Sequence, residues 1–211
     1  MAIPSRQIGW GTEDNLLWQI SKQLEQLTNV TAKACANNAP TYKVYTALLT
    51  QSGGATDNHL FSGALTKGVT YTQVGGDVDW DFSNVGGPVY PNTFSFVATS
   101  SSDPIAWGGA DMSYNTGAPV VTVLENTIGN IWFIYDEVGN YSIKSNGLFI
   151  TNKTWIPTNT IFHDAGGWFT QNFETLQIFL EDEYSVLLRS YGQSDIDGVF
   201  NNTSIEIRVY S

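Results

Sequence analysis

Read for the spacing of its apolar positions, the chain changes character near residue 40. Between Glu13 and Val30, the residues Leu17, Ile20, Leu24 and Leu27 recur at intervals of three, four and three, the a/d spacing of a short coiled-coil seam. Leu16 and Trp18 flank that stripe. Thr12 suits an N-cap, and Glu13 and Asp14 put carboxylates in the first turn, where they complement the helix dipole. The pattern predicts an amphipathic helix over residues 13–30, and Asn37, Asn38 and Pro40 supply the turn chemistry that closes the segment. Two heptads are marginal for an isolated coiled coil, so such a helix needs something to pack against.

From Tyr42 onward the pattern becomes period two, or short apolar runs, interrupted by glycine pairs starting at 53, 75, 86, 108 and 166. Residues 41–49, 68–74, 77–82, 93–98, 119–124, 130–136, 140–143, 147–151, 175–180 and 203–210 are rich in β-branched and aromatic residues and read as strands. Glu181, Asp182 and Glu183 fall in a turn between two apolar strand-like runs. In the last strand, Ile205, Ile207 and Val209 face one way while Ser204, Glu206, Arg208 and Tyr210 face the other. Nothing long and helical lies between the strands to support a βαβ fold. The expected class is mainly β: an antiparallel β-sandwich, jelly-roll-like, preceded by a short N-terminal helix. The expected division is a leader and helix, residues 1–40, and a β-sandwich domain, residues 41–211.

Composition adds limits. Hydrophobic residues make up 42% of the chain and aromatics 13%, enough for a packed core and against disorder. The formal net charge of −11 argues against nucleic acid and anionic membranes as partners, because both are bound through cationic contacts. A single cysteine, Cys35, has no intramolecular disulfide partner, which suits a reducing compartment. The leader MAIPSRQIGWG lacks the apolar core of a signal peptide, and no run approaches the ~20 apolar residues of a membrane span.

Candidate chemistry is sparse. Asp77, Asp79 and Asp81 resemble the start of a calcium loop, but the sixth and twelfth positions hold Phe82 and Pro88 instead of Gly and Glu. The expected arrangement is a strand with Val78, Trp80 and Phe82 inward and the aspartates outward. His59 and His163 lack a second ligand at helical or strand spacing. No nucleophile elbow and no phosphate-binding glycine loop is present. Carboxylates such as Glu174, Glu181, Asp182, Glu183 and Asp195 are an acid pair for glycoside hydrolysis only if folding sets two at the right separation. The expectation is no catalytic residue, no metal site, no cofactor and no enzyme activity. Trp80, Trp107, Trp132, Trp155 and Trp168 are spread through the β-region. Most belong in a core, and any left exposed is a platform for a sugar ring or a partner.

The segment IPSRQIGWGTEDNLLWQISKQLEQL, residues 3–27, resembles an N-terminal segment of virion proteins of tailed bacteriophages, including those of the crAss-like type, and NNTSIEIRVYS, residues 201–211, is similar to their C-terminal strand. The resemblance implies a structural component of the particle: a head fibre, a capsid decoration or a tail-associated adaptor, assembled in the host bacterial cytoplasm and located in the virion. On this reading Leu17, Ile20, Leu24 and Leu27 form the seam of a homo-oligomer, a dimer or trimer. Ile8 and Trp10 anchor the leader on another virion protein of the capsid or tail. The alternative is a carbohydrate-binding module that recognises host or mucosal glycans.

Overall fold

The computed structural model describes residues 11–37, 41–51, 53–76, 78–90, 94–157, 163–164, 173–191, 197–198 and 200–211. The chain divides into two compact units, one ending at Thr41 and the other spanning Tyr42–Ser211.

The first unit contains helix α1, Thr12–Asn37, a rod of roughly 39 Å at 1.5 Å per residue. It runs seven residues past the stripe-based expectation of 13–30 and stops at Asn37, where the turn-forming residues begin. The added stretch TAKACAN is rich in alanine, the best helix former, so the helix continues after its apolar stripe has ended.

The second unit holds thirteen strands among the described residues: β1 (Tyr42–Thr50), β2 (Asp57–Leu60), β3 (Thr70–Gly75), β4 (Ser95–Val97), β5 (Asp111–Asn115), β6 (Val120–Asn126), β7 (Ile131–Glu137), β8 (Asn140–Ser145), β9 (Thr154–Trp155), β10 (His163–Asp164), β11 (Phe173–Leu180), β12 (Ser185–Tyr191) and β13 (Thr203–Tyr210). They form three antiparallel sheets, ordered β6-β1-β13-β9, β10-β11-β12-β8-β7 and β2-β5-β3-β4. The protein is thus mainly β and sandwich-like, with one N-terminal helix, as the spacing predicts.

The first two sheets share one core. Tyr45, Ala47 and Leu49 of β1 and Ile205, Ile207 and Val209 of β13 meet Phe133 of β7, Tyr141 and Ile143 of β8 and Val186 and Leu188 of β12, all buried. Strict alternation fixes this: β1 and β13 pair from Tyr42↔Tyr210 to Leu49↔Thr203 without a slip, because a one-residue shift would turn every isoleucine to solvent. A second core lies under the third sheet, where Tyr71, Phe96 and Met112 pack with Trp80, Phe82 and Val85. The two cores adjoin through β4, whose Val97 packs against the first. They are also tied where the Phe133 amide donates to the Thr70 hydroxyl at 3.1 Å.

Two expected strands are not strands. Over 77–82, Asp77 lies outside the described residues, Asp79 takes a left-handed φ of 64° and Val78 is exposed. Trp80 and Phe82 are buried as expected, in an aromatic cluster with Phe94. Gly108 makes that bend possible: a Cβ there would lie 2.2 Å from the Val78 carbonyl oxygen and 2.5 Å from the Trp80 nitrogen. Over 147–151 the chain turns, and Phe149 plugs the sandwich core while its amide donates to the Glu183 carbonyl at 3.1 Å. Here apolar spacing served to insert single side chains into a core and not to build a ladder. β12 is the second of the apolar runs flanking Glu181–Glu183. β2, β5, β9 and β10 gave no apolar signal.

Candidate functional site

The stripe residues of α1 are at the surface. Leu17 is 62% exposed, Ile20 45%, Leu24 62% and Leu27 67%, and Leu16 and Val30 are exposed as well. With Leu17 and Leu24 at a, Ile20 and Leu27 fall at d, and Leu16 and Val30 both fall at g. The apolar face is therefore wider than a two-residue seam on one flank. Apart from Trp18, which falls at b, the opposite side is polar, and Lys22 pairs with Glu25 there at 3.2 Å. Helical periodicity alone puts these groups on one face; no loop or bend is needed to gather them. Ile8 and Trp10, the expected anchor, lie outside the described residues.

The tryptophans of the β-region separate clearly. Trp80 is 2% exposed, and Trp107 and Trp132 are half-buried with their indole N–H groups buried and unpaired. Trp155 is 44% exposed, and Trp168 lies outside the described residues. Trp155 sits on β9, beside Arg208 of β13. The Arg208 guanidinium lies 4.8 Å from the ring centroids of both Trp155 and Tyr42. The Tyr42 and Tyr210 rings are 5.3 Å apart across the β1–β13 pair. Arg208 also ion-pairs with Glu206, which raises the arginine above its ordinary range. This is a cross-strand cation–π cluster on a solvent face, with one face of Trp155 and one of Tyr42 already covered by the arginine.

The described acidic candidates lie in one exposed turn. Glu181, Asp182 and Glu183 are exposed in the β11–β12 turn, where the Asp182 carboxylate accepts the Tyr184 amide at 2.8 Å, as a solvated turn requires. Asp195 lies outside the described residues, as does the side chain of Glu174. Asp81 accepts both the amide and the hydroxyl of Ser83, at 2.9 and 2.6 Å, and those bonds hold its carboxyl below the usual range. His59 is not alone: it lies on β2, 2.8 Å from the Asp111 carboxylate and stacked on Phe61. Among the described residues no three His, Cys, Asp or Glu side chains are grouped to hold a metal ion. No helix among them is long and apolar enough to cross a membrane.

One polar centre has no counterpart in the sequence analysis. The Asp197 carboxylate accepts the Tyr135 hydroxyl at 2.9 Å, the Tyr141 hydroxyl at 2.8 Å and the Gly139 amide at 2.9 Å. Gln51 adjoins it, its side-chain oxygen 2.8 Å from both the Tyr141 hydroxyl and the Gly198 amide and its amide donating to the Gly117 carbonyl at 2.6 Å. Burial, together with the Asp197 carboxylate, pushes the Tyr141 phenol well above its ordinary range. These bonds fasten the 197–198 bend onto the β7–β8 hairpin.

No family model, no curated protein and no solved structure matches the chain.

Proposed function

We propose that the protein is a structural component of a bacteriophage virion that self-associates through α1 and displays its β-domain, acting by assembly and not by catalysis. The observation that carries this is the exposed stripe of α1. Fully burying a Leu or Ile side chain contributes ~1.5–3 kcal/mol. At the exposures seen, Leu17, Ile20, Leu24 and Leu27 each have roughly 1–2 kcal/mol still to gain. Two such helices gain ~8–16 kcal/mol together, against an association cost of ~4–15 kcal/mol. A pair is thus near balance on the four seam residues alone. Leu16 and Val30 widen the face, and a trimer, in which each helix touches two neighbours, covers that width better than a dimer.

The resemblance of residues 3–27 and 201–211 to phage virion proteins supplies the setting: a head fibre, capsid decoration or tail adaptor. Residues 3–12, with Ile8 and Trp10, then dock on a capsid or tail protein. Buried aromatic and aliphatic anchors of this kind dominate interface energies. Mass spectrometry of purified virions, followed by imaging of the particle, tests the reading. Peptides of this chain at a fixed copy number, with the β-domain pointing outward, are expected. Their absence from purified particles contradicts the virion role.

A further inference from the structure

A cleft of about 770 Å³ opens where the three sheets of the β-domain approach one another, within the ~300–1,000 Å³ range of small-molecule sites. Its walls come from distant parts of the chain: Tyr45 of β1, Val123 and Asn126 of β6, Asn130 and Ile131 at the start of β7, Phe94 and Phe96 around β4, the Gly86–Gly87 bend, and Asn146 just after β8. The glycine at 87 is a packing requirement, since a Cβ there would stand 2.8 Å from the Phe82 side chain and 3.0 Å from the Phe96 ring.

In a chain of net charge −11, no charged residue lines this cleft among the described residues. An anion finds no cationic donor there and a cation finds no carboxylate. The polar groups present are amides and hydroxyls, and several are uncommitted. The Tyr45 hydroxyl is buried without a hydrogen-bond partner, on a residue only 1% exposed. Asn130 uses its amide N–H on the Ser95 carbonyl at 2.8 Å, which leaves its own oxygen as an acceptor. Asn146 is exposed at the rim. Asn126, by contrast, is engaged by its own turn, donating one N–H to the Gly129 carbonyl at 2.7 Å and accepting the Ile128 and Gly129 amides at 3.1 Å. Phe94, Val123 and Ile131 add apolar surface beside these groups.

We infer that this cleft binds a neutral saccharide of one or two sugar rings. Hydroxyls that donate and accept at once match amide oxygens, amide N–H groups and a phenol, and the C–H face of a sugar ring packs on Phe94 and Val123. A purely apolar ligand would leave the already buried Tyr45 hydroxyl unmet and cover the Asn130 oxygen without a donor, which is unfavourable. The inference is independent of self-association through α1.

The test is saturation-transfer NMR on the full-length protein with lactose, maltose, cellobiose and N,N′-diacetylchitobiose at millimolar concentration. Glucuronate and glucosamine serve as charged comparators. At least one neutral disaccharide is expected to bind and both charged sugars to stay silent. Asn146→Trp, an exposed change that fills the mouth, should abolish binding with thermal unfolding unchanged. Tyr45→Phe should weaken it about tenfold, the loss of one hydrogen bond. Silence from all four neutral sugars, equal binding of the charged ones, or binding that survives Asn146→Trp overturns the site. Each of these results leaves the native mass unchanged, so failure here is distinguishable from failure of the assembly reading.

Discussion

Replacing Asp197 by alanine removes the acceptor for three donors at once, and the structure says how unequal the three losses are. The Tyr135 hydroxyl is on a half-buried residue and can turn to water. The Tyr141 hydroxyl keeps Gln51 at 2.8 Å. The Gly139 amide belongs to a buried residue whose acceptor is Asp197, so it is left unsatisfied, at a cost of ~1–3 kcal/mol. The two tyrosine bonds, one replaceable by water and one backed by a second acceptor, add ~0.5–1 kcal/mol between them. The expected destabilisation is about 2–3 kcal/mol, with Asp197→Asn, which retains a side-chain oxygen, losing roughly half of that. Urea unfolding followed by tryptophan fluorescence is the assay, run at one fixed protein concentration because self-association raises apparent stability. With a slope of ~2 kcal/mol/M, the midpoint should fall by about 1–1.5 M at unchanged slope. Tyr135→Phe is the control and should shift it by less than ~0.5 M. If Asp197→Ala moves the midpoint no further than Tyr135→Phe does, the Gly139 amide is not the dominant loss and the account of this bend is wrong.

The remaining expectations concern titration, backbone and core. Burial raises the phenols of Tyr45 and Tyr141 above their ordinary value in the folded state. The unfolded chain therefore loses these protons first, and stability, complete below pH ~10, should fall as pH rises further; chemical denaturation between pH 8 and 11, taken as an illustrative window of roughly that width, should show no loss at its lower end. In the same series Tyr45→Phe should reduce the alkaline slope and leave neutral-pH stability unchanged or slightly higher, because it deletes a buried hydroxyl that has no partner. Gly108→Ala should cost more than ~2 kcal/mol in thermal or urea unfolding, since φ there is 52° and the new Cβ would meet the Val78 carbonyl. Ile207→Ala, at a fully buried position, should cost ~2–5 kcal/mol by the same measurement. Trp155→Ala on the solvent face should cost no more than about 1 kcal/mol.

What the sequence reveals about this fold depends on how local the physics is. β13 is legible to the residue because its isoleucines alternate against polar neighbours and one face is buried. The α1 stripe is legible for the same reason at helical period. The 77–82 segment misleads because Trp80 and Phe82 keep the alternation of a strand while Asp79 turns left-handed; the glycine that allows the turn lies far along the chain, at 108. β2 and β5, DNHL and DMSYN, pair through their backbones with little apolar side-chain content, so composition gives no sign of them. The Asp197 centre and the cleft are the least legible. Gln51, Tyr135, Tyr141 and Asp197, like Tyr45, Phe94, Asn130 and Asn146, become neighbours only through sheet pairing, and no spacing along the chain records that.

The central claim is that the face bearing Leu17, Ile20, Leu24 and Leu27 is covered by further copies of the same chain. Sedimentation equilibrium of the intact protein at micromolar concentration tests it most directly, beside a variant carrying Ile20→Gln, Leu24→Gln and Leu27→Gln, changes that keep helix propensity and remove the apolar stripe. The account predicts a native mass that is an integral multiple of the 23.2 kDa chain, a trimer before a dimer, which reverts to the single-chain mass in the variant. A native protein that sediments as a single chain across that range, or an assembly that the three substitutions leave intact, would contradict it.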